Sequence, residues 1–161
     1  MRTLLLCVLA LCSHVMSMTA QVTGRIEYPY RADYEDQLVL PIGDKGLVIQ
    51  SFAKDSKAGK RYFKTEFYST MMTPVSTDSM LIDKGMYYYS NIVDNGVLYT
   101  VLRESDGTFM IVAFNATTHK ITVTDGEYTR KGTMRNLIIS NDNVVFSSTQ
   151  KKIDRIGIIN L

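Results

Sequence analysis

Residues 96–115 read GVLYTVLRESDGTFMIVAFN, two apolar segments joined by a short polar turn that contains Asp106 and Gly107. Runs of β-branched and aromatic residues on either side of such a turn predict a β-hairpin. A sheet with one face in water alternates apolar and polar residues, but here nearly every position is apolar. The hairpin is therefore expected to be covered on both faces, as a strand pair in a stack of sheets would be.

The same pattern recurs along the chain at nearly constant spacing. Each copy has a short apolar strand, a polar turn, and a second strand rich in β-branched and aromatic residues. The copies lie at residues 38–52, 88–102 and 135–149. Their turns, compared at Gly46, Gly96 and Asn143, are separated by 50 and 47 residues. Gly, Asn and Asp suit hairpin turns because they tolerate positive φ.

Each repeat continues with further strands. Third strands are expected at residues 61–68, 108–115 and 154–161, and fourth strands at residues 79–83 and 120–124. No stretch of ~11 residues shows helical periodicity. We therefore predict an all-β fold of four-stranded antiparallel meanders. The units are expected at residues 37–85, 86–133 and, incompletely, 134–161.

Residues 91–124 resemble one blade of the quinoprotein-like and related β-propellers. The match covers the inner strand, two Asp-Gly-type turns, and a corner of the form Asp-Ala-x-Thr-Gly-Lys, which here reads NATTHK at residues 115–120. The resemblance implies a partial β-propeller of about two and a half blades, in which each repeat of ~40–50 residues forms one blade. The tryptophans typical of quinoprotein repeats are absent. The resemblance thus implies no cofactor and no functional residue.

The N-terminus has the layout of a secretory signal peptide. Arg2 precedes an apolar run at residues 3–11, and small residues precede a cleavage point expected after Ala20. The apolar run is too short to span a membrane. We expect an exported protein, periplasmic, extracellular or at the cell surface, and the style of the signal and repeat favours a bacterium. Residues 21–36 are expected to form an N-terminal strand or linker.

Loss of the signal peptide would remove both cysteines, Cys7 and Cys12. The mature chain would then rely on its core and strand ladders rather than on disulfides, and it would lack the ligands of a cysteine zinc site. Cys12 is a poor lipid acceptor, because the preceding Leu11 is bulky where lipoproteins carry a small residue. His119 would be the one histidine left.

Charge and composition argue against several functions. The formal net charge is +2, and loss of Arg2 leaves 17 basic against 16 acidic residues, or +1. The basic residues are dispersed, so nucleic acid is not expected as a partner. No membrane-length apolar run follows the signal peptide. We expect no metal and no cofactor.

The third repeat stops after its third strand, and the chain ends on the apolar run IGIINL at residues 156–161. A propeller closes with about four to eight blades. We therefore expect either the N-terminal part of a longer protein with further C-terminal blades, or a chain that completes a ring by oligomerising. Residues 23–30 are a candidate extra strand for ring closure.

The best candidates for a binding site are tyrosines at the start of an inner strand and the residues of the next turn. They are Tyr87, Tyr88, Tyr89, Asp94 and Asn95. Tyrosine rings stack on sugars and anchor protein interfaces, although tyrosine is also a common strand residue.

Other polar positions favour structural interpretations. His119 is expected in a tight turn, where the aligned blade pattern has glycine. Asp33, Glu35 and Asp36 lack the dense spacing of a calcium loop and are expected in a solvated linker. The two methionines at residues 71–72 are expected to fill gaps between blades.

Together these features favour a non-enzymatic exported scaffold that binds a protein or a glycan. One alternative is a propeller-type hydrolase or lyase whose catalytic residues lie mostly beyond residue 161. The expected inner strands, LVLPI, YYSNI and NLIIS, carry no acid, which disfavours it. A second alternative is a self-contained β-sandwich binding module, which would be a folded monomer.

Overall fold

A computed structural model describes residues 32–54, 58–127, 133–140 and 143–161. These residues form three antiparallel sheets and one short 3-10 turn at Gly43–Lys45. The first sheet contains β1 (Tyr34–Pro41), β2 (Leu47–Ala53), β3 (Lys60–Tyr68) and β4 (Pro74–Asp83). The second contains β5 (Tyr87–Asp94), β6 (Val97–Arg103), β7 (Thr108–Asn115) and β8 (Lys120–Glu127). The third contains β9 (Thr133–Ser140), β10 (Asn143–Gln150) and β11 (Ile153–Asn160).

Strands that follow one another in the chain are neighbours in each sheet, so all three sheets are meanders. This confirms the predicted all-β fold and its repeated unit. The predicted hairpin is β6 and β7, and Asp106 caps its turn by accepting the backbone N–H of Thr108 at 2.9 Å. β4 begins at Pro74 and β8 ends at Glu127, beyond the predicted limits of both strands. Their extra residues are largely exposed and polar, which explains why hydrophobicity did not reveal them.

The second sheet lies between the other two and is covered on both faces. Along β6, Leu98 and Leu102 pack against the first sheet. Tyr99 and Val101, which point the opposite way, pack against the third sheet. Residues 98–102 are all at most 7% exposed. The hairpin is apolar at nearly every position because sheets cover both of its faces, as predicted.

The interface between the first and second sheets combines aromatic packing with one buried hydrogen bond. The Phe67 and Phe114 rings lie 5.2 Å apart. Between the sheets, the Thr100 hydroxyl donates to Oε1 of Gln50 at 2.9 Å. Both residues are fully buried, so water cannot take the place of either partner. The bond therefore favours one relative position of the two sheets.

The interface between the second and third sheets is built on paired glycines and phenylalanines. Phe109 lies opposite Gly126 on β8, and Phe146 lies opposite Gly157 on β11. The two rings meet edge to face at 5.3 Å. A Cβ at Gly157 would lie 2.2 Å from Cζ of Phe146. Glycine within these strands thus makes room for the rings of the core.

β1 begins earlier than the expected boundary at residue 37. Glu35 lies opposite Phe52, and Asp36, with φ of +50°, marks a bulge before regular pairing resumes. Glu35 also accepts a hydrogen bond from the Arg61 guanidinium at 2.7 Å. Glu35 is solvent-exposed, as expected, and it lies in a strand rather than in a linker, where a long-range ion pair holds it.

Two further expectations differ from the structure or lie outside it. Met71 is 84% exposed and Met72 is 40% exposed, in a tight turn after β3, so the expectation that they fill gaps between blades is wrong. The signal peptide at residues 1–20 and the candidate strand at residues 23–30 lie outside the described residues. Nowhere in the described part of the chain is there a helix with the length and apolarity needed to cross a membrane.

Gly157→Ala should lower the free energy of unfolding by about 1–3 kcal/mol, because the new methyl group overlaps the Phe146 ring. In a Phe146→Leu background the methyl group has more room, and the loss should shrink. Urea denaturation of the four chains of this double-mutant cycle checks the pair. Equal losses in both backgrounds would show that the ring is not the cause.

Thr100→Val should lower the free energy of unfolding by about 1–3 kcal/mol, because it leaves the buried Gln50 amide without its hydrogen-bond partner. The double variant Gln50→Leu/Thr100→Val should recover much of this loss. Thr122→Val, at an exposed threonine of β8, is the matched control. Chemical denaturation measures the free energy of unfolding of all three variants. Equal losses for Thr100→Val and Thr122→Val would show that the buried hydrogen bond does not stabilise the fold.

Candidate functional site

A groove lies between β5 and β9, the first strands of the second and third sheets. Its volume is about 630 Å³, within the range of ~300–1,000 Å³ typical of ligand pockets. We call it the β5–β9 groove. Its lining consists of Tyr89, Ser90, Asn91, Ile92, Arg135, Asn136, Leu137 and Ile138.

A β-bulge places Tyr89 at this groove. In the ladder between β5 and β6, Tyr88 lies opposite Leu102 and Ser90 lies opposite Val101, which leaves Tyr89 as the extra residue. Bulges redirect side chains and often occur next to functional sites. The Tyr89 hydroxyl crosses to β9 and lies 3.0 Å from the carbonyl oxygen of Met134. It therefore joins the two strands that form the groove.

Arg103 lies beside the groove, between two tyrosine rings. Its guanidinium carbon is 4.5 Å from the centre of the Tyr89 ring and 5.3 Å from the centre of the Tyr87 ring. Its buried Nε has no hydrogen-bond partner. Aromatic faces attract cations, so the two rings stabilise the positive charge of Arg103 at this position.

Tyr88 points to the other side of the second sheet. It packs against the apolar cluster shared with the first sheet, and its hydroxyl donates to Oδ1 of Asn91. Burial raises the pKa of the Tyr88 phenol. Of the three predicted tyrosines, Tyr89 lines the groove, Tyr87 flanks it through Arg103, and Tyr88 is structural.

Asp94 and Asn95 lie at the opposite end of β5. With φ of +47° at Asn95 and +77° at Gly96, the turn has the positive φ values of a tight two-residue hairpin. Seven residues of strand, at ~3.3 Å each, separate Asp94 from Tyr87 by roughly 23 Å. The structure therefore does not bring the predicted turn residues and tyrosines into one site.

Among the described residues, the polar groups of the groove are amides, hydroxyls and one guanidinium, and none of them is a carboxylate. Arg135 is exposed and Asn136 donates to Oγ of Ser147 at 3.3 Å. The Ser90 hydroxyl is buried without a hydrogen-bond partner. Sequence reasoning missed the contribution of β9, because Arg135 and Asn136 carry no motif. Their role depends on β9 lying beside β5.

The other polar candidates have structural roles. His119, with φ of +57°, occupies the predicted tight turn, and its ring lies 5.4 Å from that of Phe67. Asp33 and Asp36 are exposed. The described residues contain no group of three or more histidine, cysteine, aspartate or glutamate side chains placed to hold a metal ion.

We predicted that the first strand of each sheet contains no acidic residue, and this prediction needs correction. Glu35 and Asp36 belong to β1, and Asp94 ends β5, because both strands extend beyond the apolar segments used to predict them. These acids do not form a catalytic pair in the groove. Glu35 is bound to Arg61, and Asp94 lies at the far hairpin turn.

Comparison with known proteins gives no match to a family model, to a curated protein or to a solved structure. The site is therefore interpreted from its own geometry.

Replacing Tyr88 should change how stability depends on pH. A pKa raised above the ordinary 10.0 means that the folded protein holds the phenol proton more tightly than the unfolded chain does. The contribution of Tyr88 is therefore full below about pH 10 and is lost as the pH rises through the raised value. The stability advantage of the wild type over Tyr88→Phe should fall as the pH rises from about 10 through the raised pKa of Tyr88.

Urea denaturation of both proteins across this range makes the test. Tyr62→Phe, at a half-exposed tyrosine of β3, controls for the loss of one phenol. An advantage over Tyr88→Phe that stays constant with pH would contradict the assignment.

Proposed function

We propose that this protein is an exported, non-enzymatic, β-propeller-like scaffold that binds a protein or a glycan through the β5–β9 groove. The propeller-like part of the proposal is supported by the face-to-face stacking of successive meanders and by the position of β5 beside β9. Export is supported by the signal-like composition of residues 1–20.

The single observation that carries the binding proposal is the composition of the groove. It combines an apolar wall of Ile92 and Leu137 with the exposed Arg135 and the neighbouring Arg103. Protein-binding sites favour this mixture of aliphatic side chains, tyrosine and arginine. The positive charge of the two arginines, with no acid among the described lining residues, favours a partner that presents carboxylates.

The same composition argues against catalysis at this site. General acid–base and nucleophilic mechanisms need a titratable group beside the reacting atoms. The described residues of the groove offer hydroxyls and amides, and the one ionised side chain among them is Arg135, which stays protonated at all physiological pH values.

A protein segment fits the groove better than a sugar does. Sugar sites usually offer one free aromatic face as a stacking platform. Here the guanidinium of Arg103 lies over the Tyr89 ring. An extended acidic segment with alternating aliphatic residues matches both the apolar wall and the charge of Arg135.

Binding of defined probes tests the proposal. The full chain would be titrated with an eight-residue peptide of alternating Glu and Leu, with its Lys/Leu counterpart, and with an array of neutral and acidic glycans. We expect the Glu/Leu peptide to bind more tightly than the Lys/Leu peptide. Arg135→Glu should weaken this binding at least about tenfold, equivalent to about 1.4 kcal/mol.

Lys84→Glu is the matched control, because it makes the same change of charge at an exposed lysine in the turn between β4 and β5. Its affinity should stay close to that of the wild type. If only a glycan binds, and Arg135→Glu weakens that binding, the groove remains the binding site and the partner is a glycan rather than a protein. Equal affinity of the wild type and Arg135→Glu for every bound probe would reject the groove as the site.

A further inference from the structure

Among the described residues, the third sheet has an edge strand that is paired on one side only. β3 and β7 each pair with a fourth strand, β4 and β8. β11, the third strand of its own sheet, pairs with β10 and has no partner on its other side among the described residues. Alternate backbone N–H and C=O groups of an edge strand point outward and are ready to bind another strand.

This edge lacks the features that usually prevent strands from pairing. β11 contains no proline, and its ladder with β10 runs without a bulge over eight residue pairs. Ile156 and Ile158 are 76% and 69% exposed. Its two charged residues, Asp154 and Arg155, lie near one end. A long, regular and apolar edge of this kind favours association.

We propose that β11 pairs antiparallel with β11 of a second copy of this chain. The product is a two-fold symmetric dimer in which two three-stranded sheets join into one sheet of six strands. This inference does not depend on the ligand of the β5–β9 groove.

The side chains of β11 select one register for this pairing, with the two-fold axis at Gly157. Ile156 of each copy then lies opposite Ile158 of the other, on the face that carries both exposed isoleucines. Asp154 lies opposite Asn160. Directly opposed apolar pairs stabilise antiparallel strands, and no like charges meet.

Neighbouring registers are less favourable. An axis at Arg155 places two guanidinium groups opposite each other. An axis at Ile156 places Asp154 opposite Ile158, and an axis at Ile158 places Ile156 opposite Asn160. With the axis at Gly157, the two residues that face each other across the axis are both glycines. They bring no side chains together there, and the space where a Cβ would lie is filled by the Phe146 ring of the same chain.

Light scattering coupled to size-exclusion chromatography measures the state of the full chain. We expect a dimer for the wild type. Ile156→Glu/Ile158→Glu should give a folded monomer at the same concentration, because it sets glutamates opposite each other at both pairs. Leu81→Glu, at a residue 56% exposed on β4, is the matched control and should remain dimeric.

Ile138→Glu separates edge pairing from face-to-face packing of two third sheets. Ile138 is 61% exposed, on the same face as Ile158 but two strands from the edge. It should leave the dimer intact. Loss of the dimer with this variant would mean that the face, not the edge, makes the contact, and would overturn the proposal.

Disulfide trapping tests the register, in a chain with Cys7→Ser and Cys12→Ser. Thiols introduced by Ile156→Cys in one batch and by Ile158→Cys in another lie directly opposite each other only in the mixed dimer. Opposed Cβ atoms in such pairs lie ~4.5–5.5 Å apart, within reach of a disulfide after small shifts. We expect cross-linked dimer in the oxidised mixture and little in either batch alone.

A wild-type chain that stays monomeric at about 100 μM, a concentration far above the μM dissociation constant of a modest interface, would overturn the proposal. That result is also the one expected if another strand of the same chain occupies the edge. Cross-linking in the separate batches, without enhancement on mixing, would reject the Gly157 register.

Discussion

Burial of both faces of β6 and β7 is the constraint on which the rest of the structure depends. An apolar strand in a single sheet would leave alternate side chains in water, and here each of those side chains finds a neighbouring sheet instead. The first and third sheets are thus necessary covers for the second. Because hydrophobic burial sets the free energy of such a stack, the order of the sheets follows from which strands have two apolar faces.

Hydrophobic burial is not directional, so more specific contacts position the sheets. Between the first and second sheets the Thr100–Gln50 hydrogen bond has one satisfactory geometry, since both groups are shielded from water. Between the second and third, Phe109 and Phe146 fit above glycines that leave room for their rings. The hydroxyl of Tyr89 adds a contact from β5 to the backbone of β9. These contacts place the first strands side by side, and the β5–β9 groove is the result.

The proposed functions use the parts of the molecule that this packing leaves incomplete. The groove lies where β5 and β9 meet, and two arginines flank it, Arg103 held by tyrosine rings and Arg135 exposed to solvent. The β11 edge lies where the described part of the third sheet has three strands rather than four. The apolar side chains of the β6–β7 hairpin take part in neither, since they are committed to the core, and only Arg103 at the end of β6 reaches the groove.

The sequence by itself determined the all-β class, the repeated meander, the hairpin turns and the two-sided burial of β6 and β7. These features depend on local turn chemistry and on the apolar character of single strands. It did not reveal the full lengths of β4 and β8, whose additional residues are mainly polar. It left open whether residues 21–36 form a strand or a linker, because the pairing of Glu35 with Phe52 and its ion pair with Arg61 join residues far apart in the chain. Only the tertiary structure separated Tyr89 from Tyr88, because a one-residue bulge decides which face of the sheet each ring enters. Only it joined Arg135 and Asn136 to the site, since a groove between two strands exists when the sheets that carry them have stacked.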